Sequence, residues 1–496
     1  MNVCTVFGVG LACNNEPNAM TANTAFPLSA VAAMSRPDGF RSRMLWLSAA
    51  LFAGCGYSLL DYAVNGVDDS LTYAFLWAIV ALMSMIAASA TSAYRFLFSC
   101  AFWVGVEFFF YIVLKALAVT DEIDPVLMQM ALAASLLFLA GYLVGQIVYP
   151  LPSILRVPTA PDAPGTRRLY WWLLLSFVGF KLLNYVLLLA VGGGGTALEV
   201  SLATQNQGAS YLFKIPTLAQ ASYFLLLLLA YKHGVYRKTA LAMTLWILAE
   251  GVVGAARYSI VTTILINLLL CHLYVREVRL RYLLLLTPVL VLVVTFFGYV
   301  RNIELASAEV YLSALETFID QRELVFKLFM ARMDMLPQMA DAFELARLGK
   351  LKIEAGMSYL YALLHAVPRN FWPGKPLLTA AYVTEMVSPG AFADGVNIYP
   401  SVMVEGYMNF LWVGPFLIGA VVASLSQLYE KALLRGSLQR QAFALMIFTF
   451  PMAFINEGIH SNIFATMLYL MAIYWIWLRL TRWVVGKSVS TRLALP

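Results

Sequence analysis

Long apolar runs separated by short polar connections make up most of the chain. A helix that crosses a bilayer needs roughly 20 predominantly apolar residues, and the pattern predicts twelve such spans. They lie at about 44–64, 71–90, 96–118, 126–149, 169–191, 211–231, 239–255, 258–275, 282–300, 406–430, 441–456 and 461–479. The sequence therefore predicts an all-α polytopic integral membrane protein.

One polar segment, residues 301–405, interrupts this pattern. It holds 21 of the 60 charged residues. We interpret residues 44–300 as spans 1–9, the polar segment as one large loop, and residues 406–479 as spans 10–12. Within the loop, residues 306–349 carry apolar side chains at helical spacing, which predicts an amphipathic helix with its apolar side on lipid or on the bundle.

The two ends of the chain are predicted to be tails. The N-terminal segment 1–43 does not begin with the basic region of a signal peptide and has only a weak apolar core, so it makes a poor signal peptide. We interpret Met20 or Met34 as the true start; otherwise the segment is a disordered cytoplasmic tail. Residues 480–496 are the C-terminal cytoplasmic tail.

Composition agrees with a membrane protein and excludes several classes. Hydrophobic residues make up 61% of the chain and charged residues 12%. The net charge of +6 resides in short connections between spans, where Lys and Arg set topology, so we exclude nucleic-acid binding. The polar loop contains no cysteine, and the sequence shows no metal-ligand spacing, so neither a metal nor a cofactor is predicted.

The distribution of basic residues also predicts orientation. Lys and Arg in seven connecting or terminal segments fall on one side of the membrane if both termini are cytoplasmic. The short connections on the opposite side carry mainly Asp and Glu. The 301–405 loop is then extracytoplasmic.

Two arginines break that topology rule. Arg257 lies at the outer end of the hairpin between spans 7 and 8, and Arg301 lies at the outer end of span 9. One interpretation is an arginine that snorkels to lipid headgroups. The other is an anion-binding site at the outer leaflet.

Ionisable residues inside the predicted spans need partners, because an isolated charge at membrane depth is costly. Glu107 lies within span 3 and Lys181 within span 5. We predict that they form a structural ion pair. The alternative is a proton relay, but the sequence shows no ladder of Asp, Glu and His along several spans to support it. Glu250, near the outer end of span 7, is predicted either to orient Arg257 or to cap a cavity.

The stretch 365–376 carries the strongest candidate chemistry in the loop. Its three prolines forbid a regular helix and make a stiff presenting loop. Between them stand Arg369, Trp372 and Lys375, which suit a phosphate fork, a sugar-stacking face and a point charge. This combination favours an anionic, lipid-linked glycan; the alternative is a structural loop anchored by Trp372.

Further candidates flank this stretch. Glu405, at the entrance to span 10, is the best-placed carboxylate for a catalytic or orienting role, its alternative being an ion pair with an arginine. Arg322 and Tyr399 are candidate substrate-binding residues, although most charges near Arg322 fit a solvated helix face. His365, Glu457 and His460 lie nearby, and either histidine is a candidate base, although a lone histidine is more often structural.

These motifs resemble the O-antigen polymerases, the Wzy-type oligosaccharide repeat-unit polymerases of bacterial envelopes. The resemblance covers about residues 250–420 and rests on four features: Pro-Arg-x-x-Trp-Pro-x-Lys-Pro at 368–376, Gly-x-x-x-Tyr-Pro-Ser-x-x-x-Glu at 395–405 followed by Asn409-Phe410-x-x-x-Gly414, the hairpin arginine Arg257, and a large loop before the last three spans.

The resemblance implies a GT-C-like fold in the bacterial inner membrane. It implies a metal-independent glycosyltransferase that transfers undecaprenyl-pyrophosphate-linked repeat units at the periplasmic face. From their positions in the sequence, Arg257, Arg301 and Arg369 are the candidates to neutralise the leaving pyrophosphate, and Glu405 is the first candidate for the base. The implied partners are lipid-linked oligosaccharides, membrane lipids and a chain-length regulator.

Three other functions remain open from the sequence. An O-antigen ligase would share the spans, the large loop and the lipid donor, but the 368–376 motif argues for the polymerase. A lipid-linked oligosaccharide flippase would have two similar halves and small loops, which the chain lacks. A structural partner of an export complex would not need the outer arginines.

Overall fold

The computed structural model describes residues 38–66, 68–89, 99–119, 122–148, 167–192, 215–253, 257–276, 278, 280–300, 308–320, 333–364, 367, 372–393, 398–399 and 401–485. Every regular element within these ranges is helical. In chain order they are α1 (Asp38–Asn65), α2 (Asp68–Ser89), α3 (Cys100–Phe108), a π-helical segment (Phe109–Leu114), α4 (Lys115–Ala118), α5 (Pro125–Val148), α6 (Arg167–Gly192), α7 (Leu218–His233), α8 (Arg237–Val253), α9 (Arg257–Tyr274), α10 (Leu280–Val300), α11 (Ala308–Asp320), α12 (Met335–Arg347), α13 (Met357–Leu364), α14 (Thr379–Val387), α15 (Pro389–Ala393), α16 (Ser401–Phe410), α17 (Val413–Arg435), α18 (Leu438–Met446), α19 (Phe450–Glu457) and α20 (Asn462–Val485).

Seven helices in the described part of the chain are long and apolar enough to cross a membrane. They are Ser42–Asn65, Asp69–Ala88, Cys100–Ala118, Pro125–Val148, Arg167–Leu187, Ile215–His233 and Val413–Leu434. Two shorter apolar helices, Ser259–Tyr274 and Arg281–Phe297, follow the same pattern. The prediction of a helical multi-pass membrane protein is confirmed, whereas the count of twelve spans, their orientation and a GT-C fold stay predictions.

Two predicted spans have a different form in the structure. The stretch 406–430 begins inside the ten-residue helix α16, and Leu411 (φ 54°) then turns the chain into α17. The stretch 441–456 is not one helix but the short helices α18 and α19, of nine and eight residues. Neither of these two is long enough to cross a bilayer alone.

Helices α5 and α17 pack against each other along an extensive, very close interface. A Cβ added to Gly145 would lie 2.6 Å from the Ala420 carbonyl oxygen and 2.8 Å from the Ala423 Cβ. Gly141 lies one turn earlier, directly against the Phe416 carbonyl. Small residues four apart let two membrane helices touch backbone to backbone, so this Gly-x-x-x-Gly pair sets the distance between α5 and α17.

Helix α17 contributes to two apolar clusters. Its first half joins a cluster built on α2, α3, α5, α12 and α16, with Ile418 and Val422 buried there. Its second half joins a cluster built on α6, α7, α18 and α20, with Tyr429 and Leu433 buried there. The close packing of α17 on α5 therefore holds together the part of the fold that carries α16.

The segment 301–405 is largely folded onto the bundle where it is described. Helix α12 packs on α5 and buries Leu336, Met339 and Phe343. Lys115 Nζ bonds to the carboxylate of Asp334 at 2.9 Å, at the start of α12. The apolar side of the predicted amphipathic stretch 306–349 was expected to face either lipid or the bundle. In α12 it faces the bundle.

The predicted ion pair between Glu107 and Lys181 is wrong. Lys181 on α6 pairs instead with Glu250 on α8, which also accepts hydrogen bonds from Tyr185 and from the Trp246 indole. Glu107 accepts a hydrogen bond from Asn456 on α19. The hydropathy pattern identifies spans but not which spans are neighbours, and α8 rather than α3 brings its carboxylate to Lys181.

Candidate active site

Four chain segments meet around the Glu405 carboxyl group. They are α13 with the turn before it, the start of α14 with the preceding turn, α16 itself, and the connection 458–461 between α19 and α20. The first three belong to the polar segment 301–405. The fourth belongs to the last hairpin, so the fold brings two predicted outer regions together.

Glu405 is an almost fully buried carboxyl group, 1% exposed. Both of its oxygens accept the backbone N–H of His460, each at 3.1 Å, and the backbone N–H of Ile459 also reaches it. Burial raises the pKa of Glu405 to about 8, although these N–H donors act in the opposite direction. The carboxyl group therefore titrates near neutral pH and fixes the path of the 458–461 connection.

Gly458 makes that connection possible. Its φ of +83° lies in the region that favours glycine. A Cβ at this position would fall inside the Glu405 carboxyl group. Helix α19 must therefore end in a glycine for the next two N–H groups to reach Glu405.

His460 is the second titratable group of the site and is 3% exposed. Its Nδ1 shares a hydrogen bond of 3.1 Å with Thr379 Oγ1, at the start of α14. The Tyr361 ring lies against it with ring centroids 6.2 Å apart. Burial lowers the pKa of His460 to about 4; the Glu354 carboxylate opposes this shift, and Lys375 adds a smaller lowering. The His460 imidazole is therefore neutral at neutral pH.

Trp372 and Lys375 stand next to this histidine on a tight turn. The backbone N–H of Lys375 donates to the Trp372 carbonyl at 3.1 Å, and Pro373 and Gly374 occupy the two central positions. Proline at the first central position presets the φ that such a turn needs. The stiff turn predicted from the prolines is thus present in its described part.

The turn presents one aromatic face and one cation. The Trp372 ring is partly exposed and lies edge to face with Tyr361, with centroids 6.2 Å apart. Lys375 is 8% exposed, and its Nζ donates to the Val367 carbonyl at 3.1 Å. Tyr361 thus links the Trp372 face to the His460 imidazole.

Asn409 ties the other side of the site together. Its Nδ2 donates to the Glu405 carbonyl at 2.8 Å and to Ser358 Oγ at 2.6 Å, and its Oδ1 accepts the Gly356 N–H at 2.9 Å. One side chain therefore fixes α16 to the start of α13. The sequence motif that places Asn409 four residues after Glu405 now has a structural reason.

Tyr399 and Glu457 form a second pair at the edge of the site. Burial raises the pKa of Glu457 to about 7. Burial, together with the nearby Glu457 carboxyl group, raises the pKa of Tyr399 to about 12. Glu457 stands directly before Gly458, so a second carboxyl group that titrates near neutral pH adjoins the Glu405 connection.

The structure brings six of the sequence candidates into one region: Trp372, Lys375, Tyr399, Glu405, Glu457 and His460. Arg257 is the first residue of α9, and its side chain lies outside the described residues. The remaining candidates Arg301, Arg322, Arg369 and His365 also lie outside the described residues.

Three residues of the site were missed in the sequence. Tyr361, Thr379 and Ser358 lie in stretches that read only as ordinary amphipathic helix or loop. Ser358 and Tyr361 are three residues apart, which places them on one face of α13, and this spacing was the available signal. Within the described residues, His, Cys, Asp and Glu form no cluster of three or more that would hold a metal ion.

The raised pKa of Glu405 predicts a pH-dependent stability. Because the folded protein holds this proton more tightly than the unfolded chain does, the stabilisation is complete below the ordinary value of 4.5 and is lost as the pH rises through about 8. Thermal unfolding of the purified protein should show a melting temperature that falls between pH 6 and pH 9. Glu405→Gln should flatten that fall. A variant curve parallel to the wild-type curve would show that another group titrates.

Comparison of the chain with models of known protein families, with curated proteins and with solved structures found no significant match. The functional interpretation therefore depends on the site itself and on the short sequence motifs.

Proposed function

We propose that the protein is a metal-independent glycosyltransferase of the inner membrane that polymerises undecaprenyl-pyrophosphate-linked oligosaccharide repeat units at the periplasmic face. The product would be O-antigen or a related surface polysaccharide. The observation that carries the proposal is the convergence of Glu405, His460 and Lys375 with the Tyr361–Trp372 aromatic pair. This group adjoins the one loop whose motif resembles the O-antigen polymerases.

The reaction needs the types of residue that this site holds. A hydroxyl oxygen of the acceptor sugar attacks the anomeric carbon of the donor, the bond from that carbon to pyrophosphate breaks, and the lipid pyrophosphate leaves with the electron pair. Preorganised cations stabilise the charge that develops on the leaving group, and losing one such donor typically costs roughly 3 kcal/mol of transition-state stabilisation. Lys375 supplies one cation, and we propose Arg257, Arg301 and Arg369 as the others.

The acceptor hydroxyl must also lose a proton. We propose that this proton passes to the Glu405–His460 pair. Of these two residues Glu405 is the better base, because its pKa of about 8 lies nearer neutral pH than the pKa of His460, about 4. Glu405 also positions His460 through the backbone, and Thr379 fixes the orientation of the imidazole ring. The partly exposed Trp372 offers a face on which a sugar ring can stack.

Deletion of the gene followed by electrophoresis of the lipopolysaccharide tests this function. Loss of a polymerase leaves lipid A-core that carries a single repeat unit. Loss of a ligase leaves bare core while lipid-linked polymer accumulates, and loss of a flippase leaves neither polymer nor single-repeat capping. A wild-type ladder of long chains after deletion would contradict all three assignments for this polysaccharide.

Arginine substitutions test which cations serve the leaving group. Arg369→Ala and Arg257→Ala, expressed in the deletion strain, are each expected to give the single-repeat phenotype with normal amounts of protein in the membrane, because a pyrophosphate-binding cation is lost. Electrophoresis of the lipopolysaccharide and immunoblotting of membranes measure both outcomes. Arg281→Ala is the control, since that arginine lies at the start of α10, at the end predicted to be cytoplasmic. Wild-type chain length in Arg369→Ala would refute the site assignment.

A further inference from the structure

A second carboxyl group, that of Glu107 on α3, forms a hydrogen bond to the same short stretch of chain, residues 456–460, as Glu405 does. Glu107 is 8% exposed and lies within the membrane-spanning stretch Cys100–Ala118. Its Oε1 accepts the Asn456 side-chain N–H at 3.1 Å. Asn456 stands near the end of α19, two residues before Gly458. The five residues 456–460 are therefore held at one end by Glu107 and at the other by Glu405.

The contact between Glu107 and Asn456 leaves one oxygen of each side chain without a hydrogen-bond partner among the described residues. These two oxygens, Glu107 Oε2 and Asn456 Oδ1, are both buried. Both atoms are acceptors when the carboxyl group is ionised. Turning the Asn456 amide over would not help, because it would place two acceptor oxygens 3.1 Å apart.

A single proton on Glu107 Oε2 would give both of these oxygens a hydrogen-bond partner. A carboxylic acid and a primary amide form a ring of two hydrogen bonds: the amide N–H donates to one carboxyl oxygen, and the acid O–H donates to the amide oxygen. Here the first of these bonds is present, and the two unpartnered atoms are the two that the second bond would join. A buried polar atom left unpaired destabilises the folded protein, and an uncompensated buried charge destabilises it more.

We propose that Glu107 and Asn456 form an intramembrane proton-binding site, in which a proton on Glu107 closes an acid–amide ring that holds the 456–460 segment. The ligand is a proton delivered to Glu107 Oε2. The proposal does not depend on the polymerase function.

The surroundings of Glu107 contain no described cation to balance an ionised carboxylate. On its own span, Lys115 is two turns away and bonds to Asp334. On α17, Glu430 accepts the Cys100 N–H at the far end of α3. On α19, the nearest titratable group is Glu457, itself acidic. The faces that α2 and α5 pack against this region are apolar, with Ile79, Leu132 and Phe138 fully buried.

The local helix geometry marks the same place as unusual. The helix widens into a π-helical segment, Phe109–Leu114, two residues after Glu107. Its partner α19 is the second half of a stretch interrupted between Met446 and Phe450. Single π-turns and broken membrane helices both occur preferentially at functional sites. The acid–amide ring therefore joins two irregular elements and anchors the connection to Glu405.

Substitutions of Glu107 distinguish a protonated side chain in an acid–amide ring from an ionised carboxylate. Glu107→Gln replaces the acid by an amide that can make the same two hydrogen bonds with Asn456, so it is expected to accumulate in the membrane and to melt within a few degrees of wild type at pH 7. Glu107→Met has a similar shape but no hydrogen bonds, and it is expected to melt lower. A Glu107→Gln protein that fails to fold, or that melts as low as Glu107→Met, would overturn the proposal.

Infrared spectroscopy measures the proton directly. Purified protein in lipid nanodiscs at pH 7 is expected to show several protonated carboxyl C=O bands, because Glu405 and Glu457 also hold protons near this pH. One of these bands is expected to be absent from Glu107→Gln and present in Glu405→Gln, as the difference spectra against wild type measure. A carboxylate band in its place, or a band that shifts when sodium replaces potassium, would mean an ionised or cation-binding Glu107 and would contradict the proposal.

Discussion

Replacing Gly141 with alanine is expected to destabilise the protein strongly. The new Cβ would overlap the Phe416 carbonyl oxygen, which belongs to the rigid backbone of α17 and cannot rotate away. The two helices must then separate along the interface that Gly145 and Gly419 also share. Overpacking typically costs 1–3 kcal/mol, and we expect about 3 kcal/mol or more here because backbone rather than a side chain must move.

Thermal unfolding in detergent or nanodiscs measures this effect, and two glycines serve as matched controls. Gly105 and Gly179 also lie inside long apolar helices, and a Cβ at either would meet nothing within 4 Å. Gly105→Ala and Gly179→Ala are therefore expected to melt at or slightly above the wild-type temperature, because alanine favours the helix. Equal melting temperatures for Gly141→Ala and these controls would refute the α5–α17 packing.

Gly458→Ala is expected to abolish most of the activity while leaving the protein in the membrane. Alanine is strained at a φ of +83°, and its Cβ would displace the Glu405 carboxyl group. The His460 N–H would lose its acceptor, and the imidazole would move relative to Lys375 and Trp372. A displacement of about 1 Å in a catalytic group can cost on the order of 100-fold in rate, which should appear as short or single-repeat chains.

Gly374→Ala is the control for this substitution. Gly374 lies in the turn between Trp372 and Lys375, its φ is not positive, and an added Cβ would meet nothing within 4 Å. It is expected to keep the wild-type chain length. If both variants behave like wild type while protein amounts are equal, the 458–461 connection has no part in the activity.

Hydropathy predicted the class of fold because the bilayer imposes one dominant constraint, the length of an apolar helix. It did not predict the breaks at Leu411 and between α18 and α19, because these depend on close backbone contact. Gly406 and Gly414, whose backbones touch across the first break, were the available sign. The wrong partner for Lys181 has the same origin, since neighbouring spans are chosen by tertiary packing.

The candidate site was predicted in part because some of its residues carry rare chemistry in an apolar chain. Glu405, Trp372 and Lys375 stood out by type and position, and the structure places them together. The role of the 458–461 connection was not predictable, because it is made by backbone N–H groups that no side-chain pattern reveals. The acid–amide contact of Glu107 likewise needs a partner 349 residues away.

Reconstitution is the most direct test of the central proposal. The purified protein, in liposomes with a chelator of divalent metals, would be supplied with the lipid-linked repeat units extracted from the deletion strain. We predict a ladder of longer lipid-linked products together with released undecaprenyl pyrophosphate, and no ladder with Gly458→Ala. If the purified protein leaves the single repeat units unchanged but restores the ladder when it is added to membranes of the deletion strain, polymerisation by this chain alone is contradicted. If the repeat units stay unchanged under both conditions, the proposed function is contradicted.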